Sequence, residues 1–215
     1  DSTTRLWGTD GIMKQEFKWP SETVNAAAFS KNGDTILTGS EDNTARLWNL
    51  QGKMIKEIKV LKPKKNIPTA ASPTENKILT GAADNSSILW AMGGDKLVTF
   101  KGHSETVNAV AFSPGGDSII TGSNDGTAIL WNLNGDSAFL WNREGKIIKQ
   151  FKFQPGKVIS VAFSPKANTI LTGSADGNTI LWNPEGKIIK QFTAQPGRVN
   201  SVAFSPTGDT IITGS

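Results

Sequence analysis

The sequence predicts an all-β fold, a β-propeller built from four-stranded antiparallel blades. Two observations carry this prediction: the 215 residues repeat end to end with a period of about 41, and each repeat holds four short strand-like segments separated by turn residues. Fixed periods of roughly 20 to 50 residues are typical of repeat folds, and four antiparallel strands per unit are typical of a propeller blade. We therefore expect a single domain over residues 1–215.

Three sequence markers share this period. Thr-Gly-Ser or Thr-Gly-Ala begins at Thr38, Thr80, Thr121, Thr172 and Thr213. A Leu-Trp pair ends at Trp7, Trp48, Trp90, Trp131 and Trp182. Ala-Phe-Ser is centred on Phe29, Phe112, Phe163 and Phe204. The tryptophans are separated by 41, 42, 41 and 51 residues, so one interval is ten residues longer than the period.

The third unit shows the four predicted strands most clearly. Residues 107–113 form the first strand, and the Pro-Gly-Gly-Asp turn that follows leads into the second strand at 118–123. Asp125-Gly126 favours a tight hairpin into the third strand at 127–131. The fourth strand is supplied later, by residues 147–151.

The two ends of the sequence match complementary parts of one unit. Residues 1–7 match 42–48, and residues 213–215 match 38–40. Pairing of these N-terminal and C-terminal strands closes a ring of five blades and removes exposed strand edges, so we expect a closed monomer. Residues 134–141 repeat residues 124–131, either as a ten-residue duplication or as the scar of a lost blade. In the second case the intact ring has six or seven blades, with residues missing near position 135.

Together these motifs resemble the tryptophan-aspartate (WD) repeat family, in particular its regular bacterial members. The sequence carries Trp-Asn, as at Trp131-Asn132, where the family has Trp-Asp. The resemblance implies a structural hydrogen-bonded tetrad of a loop histidine, a strand hydroxyl, a turn aspartate and the tryptophan. Its members here are His103, Thr121, Asp125 and Trp131, with Ser123 as the alternative hydroxyl. The histidine position holds Pro20, Leu61, Gln154 and Gln195 in the other units.

Composition excludes most kinds of catalytic site. The chain has no cysteine and one histidine, so thiolate zinc sites, disulfides and multi-histidine metal sites are not expected. We predict no enzyme activity, catalytic residue, metal or cofactor. A cysteine-free chain fits a reducing compartment, and we expect a cytoplasmic protein. No apolar run approaches the roughly 18 residues of a membrane span, so no membrane partner is expected.

Charge is spread through the repeats. The 23 basic and 19 acidic residues give a net charge of +4, and many lysines fall in fourth strands, where charge protects outer edges from intermolecular pairing. Nucleic-acid binding is therefore not expected.

The loops that lead into the first strands are the predicted binding surface. By resemblance to the family, partners dock at this rim of the central channel, and we expect a protein or peptide that contacts polar side chains there. The rim candidates are Asn25, Asn108, Ser160 and Asn200, taken to share one position, with Lys157 and Arg198 beside them. The predicted function is a non-catalytic interaction scaffold. The alternatives are a ligand-sensing or lectin-like propeller and an engineered or truncated repeat protein without a natural ligand.

Overall fold

The computed structural model confirms the all-β prediction, because every regular element among the described residues is a β-strand. The structure describes residues 3–18, 23–59, 68–82, 84–133, 146–152, 157–166, 168–193 and 197–215. Within these ranges no helix is long and apolar enough to cross a membrane.

Sixteen of the described strands form four antiparallel sheets, in which the strands follow one another in chain order. Blade 1 consists of β3 (Val24–Phe29), β4 (Thr35–Ser40), β5 (Thr44–Asn49) and β6 (Met54–Lys59). Blade 2 consists of β7 (Thr69–Ala71), β8 (Lys77–Gly81), β9 (Ser87–Ala91) and β10 (Lys96–Phe100). Blade 3 consists of β11 (Val107–Phe112), β12 (Ser118–Ser123), β13 (Thr127–Asn132) and β14 (Lys146–Lys152). Blade 4 consists of β15 (Val158–Phe163), β16 (Ile170–Ser174), β17 (Asn178–Trp182) and β18 (Ile188–Thr193).

The remaining four strands form two half-blades. The N-terminal half-blade pairs β1 (Thr3–Trp7) with β2 (Met13–Lys18), which correspond to the third and fourth strands of a blade. The C-terminal half-blade pairs β19 (Ser201–Phe204) with β20 (Ile211–Gly214), which correspond to the first and second strands.

Strand register repeats from blade to blade. In every complete blade an isoleucine of the second strand lies opposite the tryptophan of the third, as Ile36 opposite Trp48 and Ile119 opposite Trp131. A register shift recurs between the leucine and the tryptophan where the third strand pairs with the fourth in blades 1, 3 and 4. The repeated sequence therefore specifies a repeated geometry, as the sequence markers predicted.

The apolar cores lie between sheets. Leu47 of blade 1 belongs to one cluster with Ile78 and Trp90 of blade 2, and equivalent clusters join blade 2 to blade 3 and blade 3 to blade 4. Smaller clusters join the N-terminal half-blade to blade 1 and blade 4 to the C-terminal half-blade. The first strands of neighbouring sheets contact one another, which brings β3, β7, β11, β15 and β19 to a common side of the sheets.

Glycine permits this close approach. A Cβ atom on Gly122 in the second strand of blade 3 would lie 2.6 Å from Cγ1 of Val158 in blade 4. That separation is too short for two carbon atoms, which explains the glycine of the recurring Thr-Gly-Ser marker.

The structure corrects one prediction, namely that the N-terminal strands pair with the C-terminal strands in a single blade. The sheet of β1 contains only β1 and β2, and the sheet of β20 contains only β19 and β20, among the residues described. Each half-blade instead packs against its neighbouring complete blade, the N-terminal one against blade 1 and the C-terminal one against blade 4.

The duplicated segment 134–141, including the position near 135, lies outside the described residues. On either side of it, β13 pairs with β14, with Trp131 opposite Ile147. This register matches Trp182 opposite Ile188 in blade 4. The first copy of the duplicated sequence therefore provides the third strand of blade 3.

Candidate functional site

A buried polar network in blade 3 connects the four residues of the predicted tetrad. The indole Nε1 of Trp131 in β13 donates to Oγ1 of Thr121 in β12, at 2.9 Å. Oγ1 of Thr121 lies 2.8 Å from Nε2 of His103, in the segment that leads into β11. Nδ1 of His103 lies 2.9 Å from Oδ2 of Asp125, in the turn between β12 and β13. The network thus joins one loop, two strands and one turn.

Asp125 also organises the backbone around the network. Its Oδ2 accepts a hydrogen bond from the backbone N–H of Ser104 at 2.9 Å, and its Oδ1 accepts from Oγ1 of Thr127 at 2.6 Å. Ser123, the alternative hydroxyl, donates to the carbonyl of Glu105 at 2.9 Å and accepts from the backbone N–H of Asp125. Thr121 rather than Ser123 is therefore the hydroxyl that connects His103 with the tryptophan.

Burial sets the charge state of this network. It lowers the pKa of His103 below its ordinary value, which outweighs the opposite effect of the neighbouring Asp125 carboxylate. Burial also acts to raise the pKa of Asp125, but hydrogen bonds from Thr127, Ser104 and His103 lower it overall. A neutral imidazole donates from Nδ1 to Asp125 and accepts at Nε2 from the Thr121 hydroxyl, so both ring nitrogens of His103 have a partner.

The tryptophan–threonine hydrogen bond occurs in all four blades. Trp48 donates to Thr38 at 2.8 Å, Trp90 to Thr80 at 2.9 Å and Trp182 to Thr172 at 2.8 Å. This part of the network is therefore independent of histidine, which the sequence supplies only to blade 3.

Blade 1 contains a buried ion-pair cluster that the sequence analysis did not single out. Arg46 in β5 is buried, and its Nη1 donates to Oδ2 of Asp42 at 2.7 Å while its Nε donates to Oε2 of Glu57 at 2.8 Å. The corresponding position in blade 4 is Ile180. The signal in the sequence is an arginine where the other three complete blades carry isoleucine, at Ile88, Ile129 and Ile180.

The first strands of three blades begin with a β-bulge. The register shifts between Val24 and Ala26 in blade 1, and at the equivalent places in blades 3 and 4. The bulge residues, which have no directly opposite residue in the second strand, are Asn25, Asn108 and Ile159. Bulges expose a side chain that the regular pleat would turn elsewhere.

The predicted equivalence of Ser160 with the rim asparagines is wrong. Ser160 lies opposite Gly173, just as Ala26 lies opposite Gly39. Ser160 therefore corresponds to Ala26, and the bulge position of blade 4 is occupied by Ile159. The sequence itself shows this correspondence, because Val158-Ile159-Ser160 aligns with Val107-Asn108-Ala109, and neighbouring residues of a strand lie on opposite faces of the sheet.

Two of the six rim candidates bridge neighbouring sheets. Nδ2 of Asn108 donates to Oδ1 of Asn124 at 2.7 Å and to the carbonyl of Val158 in blade 4 at 3.1 Å. Oγ of Ser160 accepts from the backbone N–H of Val202 in the C-terminal half-blade at 3.1 Å. These contacts bind one sheet to the next.

The other four candidates are exposed. Asn25, Lys157, Arg198 and Asn200 all lie at the start of first strands, on the side where those strands converge. Lys157 and Arg198 precede β15 and β19, which pack against each other. The structure thus places two cations and two amides on one side of the sheets. Among the residues described, no group of three or more His, Asp or Glu side chains is arranged to hold a metal ion.

Comparison with known proteins gives one family match and two partial relatives. The family model described as "WD domain, G-beta repeat" matches residues 11–49, 94–132, 145–183 and 186–215, which together make up more than half of the chain. A WD repeat-containing protein of Synechocystis sp. is 36% identical over 56 residues, which cover 26% of this chain and 17% of the relative. THO complex subunit 6 of Arabidopsis thaliana is 38% identical over 60 residues, which cover 27% of this chain and 16% of that protein. The alignments thus span less than a fifth of each relative.

Proposed function

Because the chain belongs to the WD domain, G-beta repeat family, we propose that it is a non-catalytic module that binds a protein or peptide where its first strands begin. The observation that carries the proposal is the exposed polar set of Asn25, Lys157, Arg198 and Asn200. We call these four residues the rim set. Their amides donate and accept hydrogen bonds, which suits a peptide backbone.

The two cations of the rim set indicate the charge of the partner. Lys157 and Arg198 occupy corresponding places in neighbouring sheets, so their side chains extend from adjacent first strands. Two exposed cations side by side favour an acidic side chain, and arginine pairs with carboxylates through two parallel hydrogen bonds. The proposed partner is therefore a protein segment that carries at least one Asp or Glu.

Other features support a binding role. The tryptophan–threonine bonds of blades 1 and 4 stabilise two of the sheets that carry the rim set. The Arabidopsis relative is named as the subunit of a complex, in agreement with a role in assembly. A cytoplasmic location is part of the proposal, and cell fractionation tests it.

Affinity capture with a matched pair of variants tests the proposal. The rim variant changes all four residues of the rim set to alanine. The control variant replaces two cations and two neutral polar residues that are exposed in loops between strands, namely Lys31, Gln51, Lys166 and Thr207. Captured proteins are quantified by mass spectrometry against the unmodified chain.

We expect the rim variant to lose at least one protein that both the unmodified chain and the control variant retain. That protein, or a peptide from its acidic segment, is then titrated by calorimetry, and we expect about one site per chain and weaker binding at higher salt. Equal capture by both variants contradicts the rim as the binding surface. Binding of a glycan at about one site per blade would instead support a lectin-like function.

A further inference from the structure

We propose that the fourth strands of blades 1, 3 and 4 form a second binding surface, on which an extended acidic segment of another protein pairs as an additional strand. We call these strands, β6, β14 and β18, the outer edges. They lie at the opposite edge of each sheet from the first strands, where the rim set is found. The proposal therefore goes beyond the function proposed above and does not rest on it.

Charge in the sheets is concentrated on the fourth strands. With β2 and β10 included, the five fourth strands hold nine lysines and two glutamates, whereas the other fifteen strands hold three charged residues in total. Both glutamates are engaged within the chain. Glu57 accepts a hydrogen bond from Arg46 at 2.8 Å, and Glu16 accepts one from Arg5 at 3.2 Å. The fourth strands are therefore positively charged, and a partner that complements them is acidic.

Exposed apolar side chains accompany these lysines. In blades 1 and 4 the fourth strand begins with two large apolar residues followed by a lysine, in the sequences Met54-Ile55-Lys56 and Ile188-Ile189-Lys190. Ile55 is 56% exposed and Ile189 is 52% exposed, whereas Ile58, later in β6, is 3% exposed. Among the β6 residues only Ile58 belongs to the described core between blades 1 and 2. Packing between these blades thus does not account for the exposed isoleucines, which suit contact with a partner.

A β-bulge accompanies the apolar pair in each outer edge. The register shift between the third and fourth strands leaves Ile55, Ile148 and Ile189 without a directly opposite residue. Blade 3 also repeats the sequence, as Ile147-Ile148-Lys149. Blade 2 instead has Val98 where the other complete blades have the lysine, opposite the leucine of the third strand. Bulges on edge strands re-aim side chains, so the recurrence indicates a repeated site, with up to three per chain.

Main-chain groups supply the second part of the interaction. In the sheets described, β6, β14 and β18 each pair only with the third strand of their own blade. The N–H and C=O groups along such an edge are a template for an extended peptide, which adds a strand to the sheet. The bulge interrupts the start of each strand. The regular part, residues 56–59 in blade 1 and 190–193 in blade 4, is the part available for pairing.

The side chains along β6 define the sequence of the partner. Lys56 and Lys59 lie in the regular part of the strand, and Met54 and Ile55 precede them. In an added antiparallel strand, the residues opposite Lys59 and Lys56 are separated by two positions. Acidic residues at both places form ion pairs, and the two residues that follow lie beside the exposed apolar pair. The expected segment is therefore acidic-x-x-acidic-apolar-apolar.

Charge argues against a second copy of the chain as the partner. Two outer edges that met would bring lysines against lysines, and such repulsion is a usual protection of edge strands. An acidic segment removes this repulsion and gains ion pairs. Base stacking is not supported, because β6 and β18 carry no exposed aromatic side chain among the residues described. The occupant that complements both the charge and the strand edge is an acidic protein segment.

Binding of a synthetic peptide, measured by fluorescence anisotropy, tests the proposal. The probe peptide has the core Glu-Thr-Thr-Glu-Val-Val, and a control peptide has lysine in place of both glutamates. The edge variant reverses one charge in each outer edge, by Lys56→Glu, Lys149→Glu and Lys190→Glu. The control variant makes the same change of charge at three exposed lysines outside the strands, by Lys31→Glu, Lys101→Glu and Lys166→Glu.

We expect the probe peptide to bind the unmodified chain and the control variant, and to bind the edge variant about tenfold more weakly. The control peptide should not bind the unmodified chain. A probe peptide methylated on the backbone nitrogens of its core should also lose binding, because it cannot donate hydrogen bonds to the strand edge. The rim variant should bind the probe peptide as the unmodified chain does, so a failure of the rim and a failure of the outer edges are distinguishable.

Equal binding of the probe peptide to the edge and control variants overturns the outer edges as the site. Absence of binding to the unmodified chain overturns the assignment of an acidic segment, and full binding of the methylated peptide overturns strand pairing. Phosphatidylserine vesicles and a single-stranded oligonucleotide test the other acidic partners. If the unmodified chain binds either of these and not the peptide, and the edge variant loses that binding, the partner proposed here is wrong.

Hydrogen exchange of the unmodified chain provides a measurement that needs no variant. Addition of the probe peptide should slow amide exchange in residues 56–59 and 190–193, where the peptide accepts hydrogen bonds from the edge. Residues 96–100 of blade 2 serve as the internal control, because their strand lacks the lysine of the outer edges. Unchanged exchange in residues 56–59, or equal protection of residues 96–100, contradicts the proposal.

Discussion

Replacing His103 with alanine tests the polar network of blade 3. The substitution removes the hydrogen bonds of the imidazole to Asp125 and to Thr121 and leaves the buried Asp125 carboxylate with fewer donors. Because the His103 side chain is 2% exposed, water does not replace these contacts without reorganisation of the loop.

The expected loss follows from the two hydrogen bonds. A neutral hydrogen bond contributes about 1 kcal/mol and one to a charged group about 1.5 to 3 kcal/mol, so His103→Ala should lower the free energy of unfolding at pH 7.5 by about 3 kcal/mol. For a chain of this length that corresponds to a melting temperature lowered by roughly 6 to 12 °C. The matched control is Ser104→Ala, which keeps the backbone N–H bond to Asp125.

Lowering the pH should reduce the difference in free energy of unfolding between the unmodified protein and His103→Ala. The folded-state pKa of His103 lies below its ordinary value of 6.5, because burial disfavours the imidazolium. The unfolded chain therefore takes up a proton first as the pH falls, and the contribution of His103, fully present above pH 6.5, is lost at lower pH. His103 is the only histidine of the sequence, so this dependence between pH 7.5 and 5 is assigned to one residue.

Urea unfolding at a series of pH values measures the effect. We expect a difference between unmodified protein and His103→Ala that is largest at pH 7.5 and smaller at pH 5. Asp125 does not disturb this window, since its folded pKa lies below 3.8. A difference below about 0.5 kcal/mol at pH 7.5, or one that grows toward pH 5, would refute the role assigned to His103.

Three further substitutions test contacts in other parts of the sheets. Gly122→Ala should destabilise the chain by about 1 to 3 kcal/mol, since its Cβ meets Val158 at 2.6 Å, and adding Val158→Ala should recover part of that loss in urea unfolding. Thr80→Val should cost about 1 to 3 kcal/mol in the same assay by removing the acceptor of a buried indole N–H, whereas Thr80→Ser should cost less. Arg46→Ile alone leaves the Glu57 carboxylate without the buried arginine that pairs with it. The double variant Arg46→Ile with Glu57→Gln should therefore have a higher thermal midpoint than Arg46→Ile alone. A double variant no more stable than the single one would contradict that coupling.

The strands could be predicted from the sequence because the same pattern of strand and turn residues recurs in each repeat. Predicted strands at 107–113, 118–123 and 127–131 agree with β11, β12 and β13 within one residue at each end. Turn residues account for this agreement: Gly116 and Gly126 both adopt positive φ, as the tight turns require.

The Ser160 position and the ring closure were predicted wrongly for different reasons. The bulge lies at the same place in blades 1, 3 and 4, so the match of Val158-Ile159-Ser160 with Val107-Asn108-Ala109 already assigns Ile159, and not Ser160, to the position of Asn108. The bulge itself required coordinates, because a bulge depends on the partner strand. Ring closure also required coordinates: the match of residues 1–7 with 42–48 shows that the segments are complementary, whereas the strands that actually pair are seen only in the sheets.

The location of the apolar cores between sheets has a consequence for how the chain folds. Since Trp90 and Trp131 each pack in an interface with a neighbouring sheet, an isolated blade buries little, and stability is a sum of nearest-neighbour terms. Such a chain nucleates at any interior pair of blades and grows outward. The half-blades, with the smallest clusters, then exchange their amide hydrogens first, and protection rises from both ends toward blades 2 and 3.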